Sequence, residues 1–101
     1  MVEIVETLAP MHPGEMLREQ FLVPLGLTPG KVAKAAKIPR TRIERIVGEK
    51  IGISADTALR LGRVFGTSAE FWLNLQMRYD LLRAAAALEG PLDSVRSLRA
   101  A

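Results

Sequence analysis

Basic side chains are concentrated in one short part of the chain, between residues 31 and 50. That stretch holds seven lysines and arginines against two glutamates, a net charge of +5, whereas the whole chain of 101 residues carries +3. Clustered positive charge of this kind attracts the phosphates of nucleic acids. The alternative interpretation is a solvated helix face without a partner. The density of charge favours a nucleic-acid-binding element.

Four side chains near the middle of this stretch have the chemistry to read DNA bases. Arginine donates two hydrogen bonds to O6 and N7 of guanine, threonine contacts a base or the thymine methyl group, and glutamate accepts from N4 of cytosine. The predicted base-reading residues are Arg40, Thr41, Glu44 and Arg45. Phosphate contacts fix the register on the duplex, and the residues predicted for them are Thr28, Lys31, Arg42 and Lys50. Any one of these arginines is as often a solvent-facing charge as a DNA contact, so the prediction depends on the whole set.

Start and stop signals predict five helices that must position these side chains. Proline is favoured at the first helical position, threonine and serine at the N-cap, and glycine just past the C-terminus. The predicted helices begin at His12-Pro13, Thr28-Pro29, Pro39, Ser54 and Ser68. Their predicted ends are Pro24 with Gly26, about Lys37, Gly48, Gly66 and about Leu88.

The second and third of these helices are short and joined by a short turn, which is typical of a helix-turn-helix. Small or apolar residues fall where the two helices must pack, at Val32, Ala33, Ala36, Ile38, Ile43 and Ile46. The base-reading residues then lie at the exposed N-terminal end of the third helix, the end that reaches base edges. The sequence therefore predicts a helix-turn-helix from about Thr28 to Val47.

The fifth helix is apolar over a wide arc. Phe71, Leu75, Tyr79 and Leu82 share one face, Leu73, Met77 and Leu81 share the next, and Trp72 points in a third direction. A helix with so wide an apolar arc usually has neighbours on two sides. Core packing is the commoner reason for such an arc, and a subunit interface is the second. A single helix-turn-helix binds DNA weakly, so a two-fold dimer on an inverted repeat of double-stranded DNA is expected. Its contact is predicted to include some of Trp72, Leu73, Met77 and Leu81.

Four runs of residues resemble a known family. They are His12-Pro13-Gly14-Glu15, Pro24-Leu25-Gly26-Leu27, the run from Ser54 to Leu61, and the run from Glu70 to Gln76. In this order they are similar to the HigA family of antitoxins, part of the Xre-type group of helix-turn-helix proteins that also includes VapI-like plasmid-maintenance antidote proteins. The resemblance covers His12 to Leu82. It implies an all-α, five-helix domain of the lambda-repressor type with a long C-terminal helix, a homodimer, operator binding, and a RelE-like RNase toxin as protein partner.

The chain departs from this pattern at two positions. Lys37 occupies the start of the inter-helix turn, where such units often have glycine. Because a left-handed conformation costs energy for a residue with a Cβ, a turn of a different type remains open. Pro29 begins the second helix, where related repressors often carry a glutamine that contacts phosphate.

The composition gives little support to other classes of protein. There is no cysteine, which excludes disulfides, thiolate metal sites and cysteine nucleophiles. The single histidine, His12, lies beside a proline at a helix start, where capping is the expected role. No metal-ligand spacing or nucleophile–base pair is visible, so we expect neither an enzyme nor a cofactor. No apolar run approaches a membrane span and no signal peptide is expected, which favours a cytoplasmic protein.

Three parts of the chain are expected to differ in role. Residues 1–11 are interpreted as an N-terminal arm, 12–88 as the DNA-binding domain and 89–101 as a C-terminal tail. The predicted function is a sequence-specific DNA-binding antitoxin that neutralises an RNase toxin and represses its own operon. Two alternatives remain: a stand-alone repressor of the Xre type, and a protein-interaction module that has lost DNA binding.

Overall fold

A computed structural model describes residues 10–99, and all regular secondary structure within that range is helical. The helices are α1 (residues 13–25), α2 (Pro29–Ala36), α3 (Arg40–Val47), α4 (Ala55–Phe65) and α5 (Ala69–Ala87), followed by a short 3₁₀-helix at Pro91–Ser94. The prediction of an all-α chain with five helices is confirmed over these residues. Most of the predicted N-terminal arm, residues 1–9, lies outside the described residues.

Helix α1 is continuous but not uniform. It consists of Pro13–Leu17, a π-helical stretch Arg18–Leu22, and Val23–Leu25. The helix passes through Pro24 and ends at Gly26, which has a φ of 62°. The prediction that Pro24 helps to stop the helix is therefore wrong, because the wider π-helical winding before it relieves the clash of a proline ring with the preceding turn.

The N-cap predictions hold for three other helices. The hydroxyl groups of Thr28, Ser54 and Ser68 each accept a hydrogen bond from the backbone N–H three residues later, which satisfies an otherwise unpaired donor. Helix α3 begins one residue later than predicted, because Pro39 is extended at its N-cap, with a ψ of 141°.

The core lies where all five helices meet. Its fully enclosed side chains include Leu17 of α1, Ile43 and Ile46 of α3, Leu61 of α4 and Trp72 of α5, each with 0% of its surface exposed. Val32, Ala33 and Ala36 of α2 are also buried, as the helix-turn-helix pattern predicts. Helix α3 is thus fixed to the domain along one face, while its other face is left to solvent.

Two contacts hold the C-terminal end of α3 in place. A Cβ on Gly14 would overlap the carbonyl oxygen of Ile46, so the backbones of α1 and α3 touch there. Arg18 donates hydrogen bonds to the carbonyl oxygen of Val47 and to the carboxylate of Glu49, the latter at 3.2 Å. An arginine near a helix C-terminus satisfies otherwise unpaired carbonyls.

The loop between α3 and α4 is tied to α5 through Gln76. Its Oε1 atom accepts a hydrogen bond from the backbone N–H of Ile53 at 2.7 Å, and its Nε2 atom donates to Asp80 at 2.9 Å. A Cβ on Gly52 would come within 2.6 Å of the same amide group. Gln76 therefore packs directly on the loop backbone.

The C-terminal end of α5 and the segment after it are exposed. Residues 83–99 are all solvent-accessible, including Leu92, Val95 and Leu98. No helix in the described part of the chain is long and apolar enough to cross a membrane.

Candidate nucleic-acid interface

The turn between α2 and α3 has the geometry that glycine usually provides. The backbone of Lys37 has the left-handed helical conformation, with a φ of 59° and a ψ of 47°. The N–H of Ile38 donates to the carbonyl oxygen of Ala33 at 3.1 Å, and that of Lys37 donates to Lys34 at 3.3 Å, which together form a Schellman motif. The possibility of a different turn type is therefore excluded, and Lys37 adopts this conformation at a cost of about 1–2 kcal/mol.

The face of α3 turned away from the core presents the predicted base-reading residues to solvent. Arg40, Thr41, Glu44 and Arg45 are all exposed. Arg40 and Glu44 form an ion pair at 3.3 Å, with 70% and 48% of their side-chain surfaces exposed. A pair this open is weak, so both side chains can exchange it for another partner. The structure brings the four residues together on one surface.

Two of the predicted phosphate-contacting residues are exposed: Lys31 in α2, and Lys50 just after the end of α3. The other two already have partners within the chain. The hydroxyl group of Thr28 accepts from the N–H of Lys31 at 3.2 Å. Arg42 donates from Nη1 to Oδ1 of Asp56 at 3.2 Å, so its guanidinium is directed at α4.

Arg60 of α4 is a contact of the helix-turn-helix that the sequence reasoning missed. Its Nη1 atom donates to the carbonyl oxygens of Ala36 at 2.8 Å and Lys37 at 3.3 Å. Its Nε atom donates to Oδ1 of Asp56 at 2.8 Å. The hydrogen bond from Arg60 is the main reason that the pKa of Asp56 lies below its usual value. The only feature of the sequence that drew attention to Arg60 was its place in the run from Ser54 to Leu61, which carries the family resemblance.

Gly30 allows Arg40 to lie close to α2. A Cβ on Gly30 would come within 3.3 Å of the Cδ atom of Arg40. A shallow open groove runs along this contact and is lined by residues from both helices, including Gly30, Lys34, Ile38 and Arg40. The aliphatic part of the Arg40 side chain therefore lies close to α2, while 70% of the side-chain surface remains exposed.

Helix α5 presents a second exposed surface, which is apolar. Met77 and Leu81 have 61% and 66% of their surfaces exposed, and Leu73 beside them is half-buried. These three line an open apolar groove, and we call them the α5 apolar face. Adjacent exposed apolar side chains of this kind are compatible with an interaction site.

Trp72 is not part of this face. It is fully buried, its Nε1 atom donates to the hydroxyl group of Thr67 at 2.8 Å, and its ring packs against those of Phe21, Phe65 and Phe71. Its inclusion in a predicted dimer contact is therefore wrong, because the intramolecular core already covers the whole side chain.

His12 has the capping role expected for it. Its Nδ1 atom accepts a hydrogen bond from the N–H of Gly14 at 2.9 Å, and its ring lies edge-on to that of Tyr79 at 4.8 Å between centroids. Burial lowers the pKa of His12 below its ordinary value of 6.5, and the carboxylates of Glu49 and Asp80 oppose that shift. Among residues 10–99, no cluster of three or more histidine or carboxylate side chains could hold a metal ion.

Several known proteins are similar to this chain in sequence and in fold. No protein-family profile matches the chain. Virulence-associated protein I of Dichelobacter nodosus is 54% identical over 74 residues, which cover 73% of this chain and 68% of that protein. Antitoxin HigA-1 of Vibrio cholerae is 35% identical over 72 residues, which cover 71% of this chain and 68% of that protein. The solved structure of Pseudomonas aeruginosa antitoxin HigA with the higBA promoter has 45% sequence identity to this chain and a TM-score of 0.84. The match covers 89% of this chain and 99% of that one.

Proposed function

The chain belongs to the HigA family of helix-turn-helix antitoxins, and we therefore propose that it is a sequence-specific DNA-binding antitoxin that represses its own operon. The resemblance drawn from four short runs of sequence is thus confirmed. The observation that carries the proposal is the exposed face of α3, whose basic and polar side chains project from a helix that is buried along its other face.

In this proposal α3 enters the major groove of the operator. Arg40 and Arg45 donate to guanine, Thr41 contacts a base or a thymine methyl group, and Glu44 accepts from cytosine. Lys31 and Lys50 contact phosphates on either side, and these contacts set the register. The weak pair between Arg40 and Glu44 opens as each residue meets its base.

We propose a homodimer that places two copies of α3 on an inverted repeat, about 34 Å apart or at a multiple of that distance. Support comes from the α5 apolar face, Leu73, Met77 and Leu81, which the chain itself leaves uncovered. A two-fold interface uses the same patch on both copies. Trp72 takes no part in the contact, because it is fully buried in the core.

The protein partner in this proposal is an RNase toxin of the RelE-like type. Its gene lies beside the gene for this chain, and the two proteins meet in the cytoplasm. Family membership supports this partner. The chain then acts by binding rather than by catalysis: it blocks the toxin and occupies the operator.

The proposal is tested by co-expressing the chain with the product of the adjacent gene, and by gel shift on the DNA upstream of both. We expect co-purification with the toxin, and operator affinity at least about 10³-fold above that for random DNA. Specific DNA binding without any toxin partner would indicate a stand-alone repressor. Equal affinity for operator and random DNA would contradict the proposed DNA reading.

A further inference from the structure

We infer that Arg60 and Asp56 of α4 are positioning residues for DNA reading, which hold α3 in the orientation at which its exposed side chains meet base edges. The inference rests on the proposed function and extends it to residues outside the helix-turn-helix. It also assigns Arg42 a different role from the phosphate contact that its charge suggested.

Arg60 fixes the path of the chain as it leaves α2. Its Nη1 atom donates to the last carbonyl of α2, that of Ala36, at 2.8 Å, and to the carbonyl of Lys37 at 3.3 Å. Lys37 is the left-handed residue of the turn, a conformation that its side chain disfavours. Because the turn sets where α3 begins, a donor that binds both carbonyls of the turn also sets the start of α3.

Asp56 connects the same arginine to α3 itself. A single carboxylate oxygen, Oδ1, accepts from Nε of Arg60 at 2.8 Å and from Nη1 of Arg42 at 3.2 Å. Arg42 lies in the first turn of α3, next to Thr41 and two residues after Arg40. One oxygen of α4 therefore ties the first turn of α3 to the turn that precedes it.

Stability gained from the ion pairs does not account for this network. The side chains of Arg60, Asp56 and Arg42 are 39%, 58% and 38% exposed, and ion pairs this open contribute little to the free energy of folding. Hydrogen bonds from arginine to guanine, in contrast, depend on distances of 2.7–3.2 Å and on direction. A network that moves α3 slightly when it is lost would thus affect base reading more than it affects folding.

The test compares two matched pairs of variants. Arg60→Ala and Arg63→Ala each remove one positive charge from α4, but Arg63 is exposed and does not bind the turn carbonyls. Asp56→Ala and Asp56→Asn each remove one negative charge, but only asparagine keeps an oxygen that accepts hydrogen bonds. Dissociation constants are measured for the upstream operator and for random DNA over a range of salt concentrations, together with the melting temperature of each variant.

We expect Arg60→Ala and Asp56→Ala to lower the operator-to-random affinity ratio by about tenfold, as the loss of one base contact does. Arg63→Ala and Asp56→Asn should stay within about threefold of the unaltered ratio. The melting temperature should move by less than about 5 °C for all four, and the salt slope of Arg60→Ala should match that of Arg63→Ala. Arg60→Lys replaces Arg60→Ala if the latter fails to fold.

Three results would overturn the inference. An unchanged affinity ratio for Arg60→Ala, with specific binding by the unaltered chain, removes the positioning role but leaves the proposed function standing. Equal losses on operator and random DNA, with a salt slope shallower by about one than that of Arg63→Ala, would make Arg60 a phosphate contact. An unaltered chain that does not prefer its upstream DNA would contradict the proposed function itself, and the inference with it.

Discussion

At Gly14 the backbone of α1 touches that of α3, and this contact depends on the missing side chain. Replacing Gly14 by alanine would place a Cβ onto the carbonyl oxygen of Ile46, a backbone atom that cannot move aside. We expect a loss of about 3 kcal/mol in the free energy of unfolding, measured by urea denaturation. Gly90→Ala is the matched control, since Gly90 has open space around it and a φ of −75°. Equal stability of the two variants would show that the contact is not needed.

His12 makes stability depend on pH. Its Nδ1 atom must be unprotonated to accept from Gly14, and burial lowers its pKa below 6.5. The unfolded chain therefore takes up a proton at a higher pH than the folded chain, so stability falls as the pH is lowered through 6.5. Unfolding free energies between pH 5.5 and pH 7.5 test this, with His12→Asn as the control, because asparagine also caps helices but does not titrate. An equal slope in both proteins would contradict the assignment to His12.

Two residues show what sequence reasoning could not reach at this scale. The sequence leaves the conformation of Lys37 open, and one of the contacts made by its turn comes from Arg60, 23 residues away. Arg42 was predicted to contact phosphate from its charge and its place in the helix-turn-helix, and its pairing with Asp56 of α4 joins two elements that are separate in sequence. Charge and spacing predict chemistry, but not which partner within the chain satisfies it.

At the scale of the element, α3 should separate base reading from phosphate binding. Arg40→Ala should lower operator affinity by about 1–3 kcal/mol and relax specificity at one base pair, because it removes a paired donor to guanine. Lys50→Ala should weaken operator and random DNA alike, and make the salt slope shallower by about one. Gel shifts on operators with single base changes, at several salt concentrations, measure both effects. Equal losses on operator and random DNA for Arg40→Ala would contradict its base-reading role.

The helices themselves were the most predictable part of the molecule. Their starts follow from side chains that bind nearby backbone, such as Ser54 and Ser68, and such local contacts can be recognised in sequence. The π-helical stretch before Pro24 could not be anticipated, since no short pattern distinguishes it from ordinary helix. Trp72 was misplaced because a helix apolar on several sides does not reveal which side meets the core.

At the scale of the whole molecule, the α5 apolar face should decide the oligomeric state. Leu81→Glu would put a charge into the proposed contact, and we expect the dimer to dissociate and operator affinity to fall by at least about tenfold. Leu98→Glu is the control, since Leu98 is 99% exposed on the C-terminal segment. Sedimentation at micromolar concentration and gel shift measure the two effects. A Leu81→Glu monomer that binds the operator undiminished would contradict the dimer proposal.

The burial of Trp72 gives this protein an internal optical reporter. It is the only tryptophan in the chain, and its indole ring is fully enclosed by the core and hydrogen-bonded to Thr67. Its fluorescence should therefore shift to longer wavelength when the domain unfolds and water reaches the ring. Each variant discussed above can then be checked for an intact core by its emission spectrum, without a label, before its DNA binding is interpreted.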